Sequence, residues 1–227
     1  MVDRDAIMLV PPDMSAEDAI FMPSVETALS IVHDAHIRVG ENVAVYGQGL
    51  IGLLITSILS LSTTANSAPS PRFGTITAFD TISNRLAMAS TMGASQALSP
   101  VQASNSGPFD VSIEVSGNAN ALQSAIDNTS SGGRVIVGSW YGKGDVALKL
   151  GIDFHRSHKT IKTSQVSTIP AKLSTLWSKE RRFELTWELM RAIRPSQLLS
   201  KTVTLDEAQN AYESLDKGDN IAISFRY

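Results

Sequence analysis

The sequence of 227 residues has no cysteine. Disulfide frameworks, thiol nucleophiles and cysteine-ligated metals are thereby excluded. It has no excess of either charge: 19 Lys and Arg stand against 22 Asp and Glu, a formal net charge of −3. The positive surplus that drives nucleic-acid affinity is missing. No stretch approaches the run of about 20 apolar residues that a membrane span requires. The most apolar one, Leu50 to Leu61, is broken by Gly52, Thr56, Ser57 and Ser60 and reads as a buried helix. Neither nucleic acid nor membrane is therefore an expected partner. Met1 to Asp5 is mixed in charge and leads into no apolar core, so no secretory signal is read. The expected compartment is intracellular, the cytoplasm. Asn128-Thr129-Ser130 fits the glycosylation pattern formally only. What remains is ordinary globular composition, 43% hydrophobic and 18% charged, long enough for one large or two small domains.

The middle of the chain alternates short apolar runs with helical patterns. Strands are predicted at Asn42 to Tyr46, Thr75 to Asp80, Ala97-Leu98, Phe109 to Val115, Arg134 to Gly138 and Thr160 to Gln165. Helices are predicted at Leu50 to Leu61, Ser83 to Met92 and Ala119 to Asn128, and Gly132-Gly133 is read as a turn. Short β-branched runs separated by helices of about 10 residues point to parallel strands with crossover helices. Strands buried on both faces read as continuous apolar runs, as these do. Ser62 to Gly74 has neither period and is read as a surface loop.

The ends differ from the middle. Ser15 to Asp18 has the form of a helix start, and Ala28, Ile31, Val32 and Ala35 recur at helical spacing. Glu180 to Ile193 is an amphipathic helix carrying Phe183, Trp187 and Met190, and Asp206 to Leu215 is a shorter one. Ile221 to Tyr227 alternates strictly and expects one apolar partner layer. The organisation read from this is a lead-in over 1–37, a dinucleotide-binding domain over 38–170 and a C-terminal segment over 171–227.

One motif carries chemistry. Gly47-Gln48-Gly49-Leu50-Ile51-Gly52 follows a strand and opens a helix, as the G-x-G-x-x-G dinucleotide fingerprint requires. Gly47 permits the tight turn, Gly49 lets the backbone approach a pyrophosphate, and Gly52 lets the helix lie close against the strand. The free N–H groups of that helix end, at Leu50, Ile51 and Gly52, attract the diphosphate. Asp80 closes the next strand and could accept hydrogen bonds from the adenosine ribose; its charge would repel a 2′-phosphate, so NAD(H) is expected over NADP(H). Arg85, one turn into the next helix, is placed along the adenine, at the diphosphate or in solvent. A methyltransferase usually has a carboxylate in its first strand, and Val43 to Tyr46 has none. A P-loop needs Gly-Lys-Ser/Thr, absent after this strand.

Other constellations are weaker. His155 and His158 are three apart and could share a helical face, yet a metal needs at least one further ligand. They read as ordinary residues of a polar helix start. Glu114 reads as a buried, hydrogen-bonded carboxylate at the sheet's C-terminal edge in preference to a cofactor neighbour. Trp177, Phe183 and Trp187 read as packing.

These residues resemble a known family. Val10 to Ala19 and Gly40 to Gly52 are similar to the approach and glycine loop of medium-chain, zinc-type alcohol dehydrogenases. So are Asp80 to Arg85 with Leu86-Ala87 and Met92-Gly93-Ala94, Phe109 to Asn118, and Gly132 to Gly138. Phe154-His155-Arg156, Ser164 to Val166 and Glu180-Arg181-Arg182 resemble a subgroup containing bacteriochlorophyllide side-chain dehydrogenases. The resemblance implies a doubly wound, six-stranded, mainly parallel sheet with terminal helices and strands left over from a missing barrel domain. Nucleotide should cross its C-terminal edge, with nicotinamide near Gly138 and Ser164 to Val166, and Ser116 among the cofactor-binding positions. In the family the barrel carries the catalytic zinc ligands; no position here matches them, so no catalytic residue is assigned and no zinc is expected. Leu199 to Leu205 and Ile221 to Tyr227 should then show an exposed patch, a self-association surface that makes a homo-oligomer, or a rearranged packing. Two functions follow. One is an NAD(H)-dependent oxidoreductase acting on an alcohol or carbonyl; the other is a dinucleotide-binding module or partner subunit without turnover.

Overall fold

The structure, a computed structural model, describes residues 7–61 and 74–227. The loop expected at Ser62 to Gly74 lies, except for Gly74, outside the described residues. The chain enters through a short helix α1 (Ala16–Ala19), capped by the Ser15 side chain accepting from the Asp18 N–H. Helix α2 (Met22–Ala35) follows, with a proline in its first turn and a left-handed stop at His36. The alternating core then runs β1 (Val43–Tyr46), α3 (Leu50–Leu61), β2 (Ile76–Phe79), α4 (Ser83–Thr91) and β3 (Gln96–Leu98). It continues through a 3-10 turn, β4 (Phe109–Glu114), α5 (Ala119–Asp127), β5 (Thr129–Val137), α6 (Ile152–Arg156) and β6 (Thr160–Thr163). The C-terminal part is α7 (Lys179–Ile193), β7 (Leu199–Thr204), α8 (Ala208–Asp216) and β8 (Ala222–Arg226).

All six strands of the main sheet are parallel, in the order β3-β2-β1-β4-β5-β6. The order reverses between β1 and β4, where Tyr46 lies opposite Glu114. This is the doubly wound architecture expected. Alternation along β1 divides the core in two. Val43 and Val45 face the layer of α2, α3 and α7 with Val25, Ile31, Leu53 and Met190; Ala44 and Tyr46 face α5 with Phe79, Phe109 and Leu122. Residues from the stretches 1–37 and 171–227 thus share one core with the sheet.

Ion pairs brace the helical layer. Arg182 of α7 lies 2.6 Å from Glu26 of α2, both side chains largely buried. Arg134 of β5 pairs with Glu41 and donates to the carbonyls of Ala35 and His36, closing the end of α2. Trp177 packs its ring 4.3 Å from that of His33, and the Arg181 guanidinium lies over the same Trp177 ring at 4.3 Å. Phe183 and Trp187 pack against the core, as expected.

Three expectations change. Strand β5 begins at Thr129, so Gly132-Gly133 lies inside the strand; Gly133 sits where a Cβ would be 2.9 Å from the Asp110 carbonyl, and the pairing with β4 shifts register there. His155 and His158 do not share a helical face, because α6 ends at Arg156 and His158 adopts a left-handed backbone, φ 50°. The alternating C-terminal strand pairs in parallel with β7 as a separate two-stranded sheet, and Ala222 to Phe225 are half-buried on both faces. A groove of about 480 Å³ runs beside it, lined by Phe21, Leu50, Ile221, Ile223 and Phe225 among others.

Candidate functional site

The glycine loop leaves β1 at the reversal of strand order. Gly47 has φ 94°, and a Cβ there would lie 2.7 Å from the Ser116 Cα. Only glycine fits both the backbone and the neighbour. Gly52 is tighter still: a Cβ would fall 1.8 Å from the Gly47 carbonyl oxygen. The close approach that Gly52 permits is therefore mainly to the loop itself, with Val115 of the neighbouring strand end at 3.4 Å. Gly49 differs from both, for nothing stands within 4 Å of its Cβ direction. Leu53 N–H donates to the Gly49 carbonyl as the first bond of α3, and the N–H groups of Leu50, Ile51 and Gly52 precede it without an intrahelical acceptor.

Gln48 turns inward and is fully buried. Its Nε2 donates to the Val45 carbonyl and its Oε1 accepts from the Thr56 hydroxyl, each at 3.1 Å, so the middle of the loop is pinned to β1 and α3. The Gln48 N–H donates at 2.7 Å to Asp80 Oδ2. The other Asp80 oxygen accepts from the Ile82 N–H at 2.9 Å. Asp80 therefore shapes the glycine loop as well as facing the cleft. Arg85 Nη1 lies 4.0 Å from Asp80 Oδ2.

Across the reversal point, Glu114 is fully buried at the end of β4. It accepts from the Ser116 N–H at 2.7 Å, from the Ser116 hydroxyl at 2.6 Å, and from the Tyr141 hydroxyl. Burial first, and the Glu114 carboxylate beside it, push the Tyr141 hydroxyl well above its usual range, so it stays a donor. Gly117 N–H donates to the Ser139 hydroxyl at 2.8 Å. The loops after β4 and β5 are thus stitched together, and Ser116 is pressed onto Gly47. The hydroxyl of Ser116 is engaged inward, also accepting from the Asn118 N–H at 3.1 Å.

These elements enclose a cleft of about 490 Å³ that brings together Gly47, Gly49, Asp80, Arg85 and Ser116. The size is that of a ligand pocket. Its floor includes Tyr46, stacked on Phe79 at 4.7 Å. The Tyr46 hydroxyl, beside Ser124 and Asn128, closes no hydrogen bond of proper geometry, and burial pushes it well above its usual range. Leu50 and Ile51 pack their side chains against the core, Leu50 also lining the groove by β8, and neither side chain lines the cleft. Gly138 is pressed on α2, since a Cβ there would lie 2.8 Å from Ile31 and 2.9 Å from Val115. The Ser164 hydroxyl donates to Asp34 at 2.7 Å.

Glu114 behaves as the sequence suggests. Its partner Tyr141, 27 residues on, and the inward turn of Gln48 leave no periodic trace and were not foreseen. A carboxylate in an otherwise apolar strand was the one available signal that a buried donor had to exist.

A family described as zinc-binding dehydrogenase matches residues 72–180. The D-guloside 3-dehydrogenase of Escherichia coli K12 is 27% identical over 222 residues, covering 93% of this chain and 61% of its own length. A solved structure from E. coli CFT073, named as a short chain alcohol dehydrogenase complexed with cofactor NADH, superposes with a TM-score of 0.77 at 16% identity, covering 100% of this chain and 64% of that one. A zinc-binding dehydrogenase from Sinorhizobium meliloti 1021, bound to NADP, gives 0.72 at 22%, covering 92% of this chain and 59% of that one. The chain thus spans about three fifths of the length of the relatives it matches. Fold and strand order define a doubly wound, Rossmann-type α/β domain. The family match and the relatives support a likeness to the C-terminal domain of medium-chain, zinc-type dehydrogenases. The sequence has no cysteine, and among the described residues no group of three or more His, Asp or Glu could hold a metal ion. The described residues of this chain offer no zinc centre, and no step is derived through one. Among the described residues no helix is long and apolar enough to cross a membrane.

Proposed function

We propose that the chain binds a nicotinamide dinucleotide across the C-terminal edge of its sheet and acts as the cofactor-holding part of an oxidoreductase for an alcohol or carbonyl. The observation that carries this reading is the bare face of Gly49. It is the one glycine of the loop whose missing side chain no protein atom uses. It opens on the first turn of α3, where unpaired N–H groups and the helix dipole favour a diphosphate. Gly47, Gly49 and the N–H groups of Leu50, Ile51 and Gly52 would hold that diphosphate, and Asp80 the adenosine ribose. When bound, the dinucleotide supplies the hydride acceptor or donor; the protein supplies orientation and exclusion of water.

Asp80 also favours NAD(H), because a carboxylate at the ribose repels a 2′-phosphate. A second reading, binding without turnover, draws on a different observation. The charged side chains lining the cleft, Asp80 and Arg85, face each other and brace the loop instead of converging on an open position. The deciding experiment is a fluorescence titration of the purified chain with NADH, followed by turnover assays on a panel of alcohols and aldehydes. Saturable binding with changed nicotinamide emission is expected. Absence of saturation at millimolar NADH overturns the site.

A further inference from the structure

A second pocket, of about 270 Å³, lies away from the cleft. Leu50 opens α3 beside the glycine loop, and Leu59, near the other end of that helix, lines this pocket. Roughly 14 Å of helix therefore separate the two sites. Ile37, just beyond α2, joins Leu59 and Leu173 in an aliphatic lining, and His36 and Trp177 complete the wall. The carboxylates nearby are already matched. Asp34 pairs with Lys162 at 2.6 Å, Glu26 with Arg182 at 2.6 Å, and Glu41 with Arg134. Glu180 is held at the start of α7 by its own backbone N–H and by Ser178. Lys172 and Arg181 are exposed and have no carboxylate partner among the described residues; Arg181 rests its guanidinium on the Trp177 ring. The imidazoles register this excess of positive charge. Burial first, then Lys162, Arg134 and Lys172 against Asp34, hold the His36 pKa below its ordinary 6.5. Arg182 and Arg181 act on His33 in the same sense.

We propose that this pocket binds a small organic anion with an apolar tail, a medium-chain monocarboxylate. Its tail lies among Ile37, Leu59 and Leu173, and its carboxylate sits at the rim with Lys172 and Arg181. Aliphatic walls gain from an alkyl chain that leaves water, and a few charged groups at the mouth fix its direction. A guanidinium suits a carboxylate in particular, because its planar fork gives two charge-assisted hydrogen bonds at once. Arg181 already lies on a ring that lines the pocket, so the fork is at the rim without a rearrangement of the fold. A neutral ligand of the same shape leaves both cations unanswered, and a cationic one meets repulsion from them. The site shares no residue with the cleft and does not depend on what the cleft binds.

The test is isothermal titration calorimetry of the full chain with octanoate, octanol and octylammonium. Octanoate should saturate with a Kd of about 1 mM or below, octanol should bind about tenfold more weakly, and octylammonium should not saturate. Lys172→Glu combined with Arg181→Glu reverses two exposed charges. That variant should weaken octanoate by about tenfold or more and bind octylammonium in its place. Saturating NADH should leave the octanoate affinity of the wild type as it is, since the two sites stand at opposite ends of α3. No octanoate binding, octanol as tight as octanoate, or an affinity unmoved by the charge reversal overturns the inference. Displacement of octanoate by NADH also overturns it, by putting the anion in the cleft. A chain that takes octanoate but not NADH overturns the dinucleotide reading alone.

Discussion

Gly49 and Gly52 sit three residues apart and answer a methyl group in opposite ways. Gly49→Ala places its Cβ in open space. Folding stability should stay within about 0.5 kcal/mol of wild type, while NADH affinity should fall by about tenfold because the methyl occupies the diphosphate's place. Gly52→Ala drives a Cβ to 1.8 Å from the Gly47 carbonyl, and backbone cannot give way as a side chain does. That variant should lose about 3 kcal/mol or more. Urea unfolding and NADH titration of the two proteins check the pair; equal destabilisation would remove Gly49 from the ligand and assign it to the fold. At this scale the sequence was informative about residue types and silent about partners. The three glycines and Asp80 announced a loop and an acidic strand end. That Asp80 would accept from Gln48, 32 residues earlier, follows from packing of β2 beside β1, which no spacing rule encodes.

The helical layer owes its geometry to polar groups that periodicity did not reveal. The stripe of α2 and the amphipathic pattern of α7 were legible, and their apolar faces meet in the core as the 3.6-residue period requires. The Glu26–Arg182 pair that sets how they meet was not, since charges on two distant helices carry no mutual signature. The stretch after β6 is tied to the same guanidinium, whose Nη2 donates to the Val166 carbonyl at 2.9 Å. Beside it, burial and then the Arg182 charge hold the His33 pKa below its ordinary 6.5. The sign follows from linkage. The unfolded chain takes up this proton first as pH falls, so the contribution of neutral His33 is present above pH 6.5 and is lost as pH drops below it. Urea midpoints between about pH 7.5 and about pH 5.5 should therefore decline, and His33→Phe, which keeps a ring against Trp177, should flatten the decline. His36, shifted the same way chiefly by burial, leaves a residual slope. Glu41, held low by Arg134, acts only nearer its ordinary 4.5 and does not overlap. A profile unchanged by His33→Phe would remove the histidine from the balance.

For the molecule as a whole, one parallel sheet carries both the core and the cleft, so occupancy of the cleft should be felt globally. At a hundredfold excess of NADH over its Kd, linkage adds about 2.7 kcal/mol to unfolding. In a chain of this size that corresponds to a rise in Tm of roughly 5–10 °C. Differential scanning fluorimetry reads it; a Tm indifferent to saturating NADH would show the cleft opening on a part that unfolds separately. The parallel sheet was legible at this scale, because β-branched runs separated by helices leave few topologies, and the family resemblance supplied its doubly wound form. The separate β7–β8 sheet was less so, since alternation gives a strand its faces but not its neighbour. The strand order also bears on how the chain is made. Asn42, just before β1, bonds to Thr75 at a distance of 33 residues and to Asp110 at 68. On a ribosome the central strand therefore emerges long before its second neighbour, with one row of amides unpaired. Val43 to Tyr46, buried throughout in the finished sheet, is for that interval an open edge, and a nascent chain stalled before residue 109 is the species that a holdase chaperone would meet.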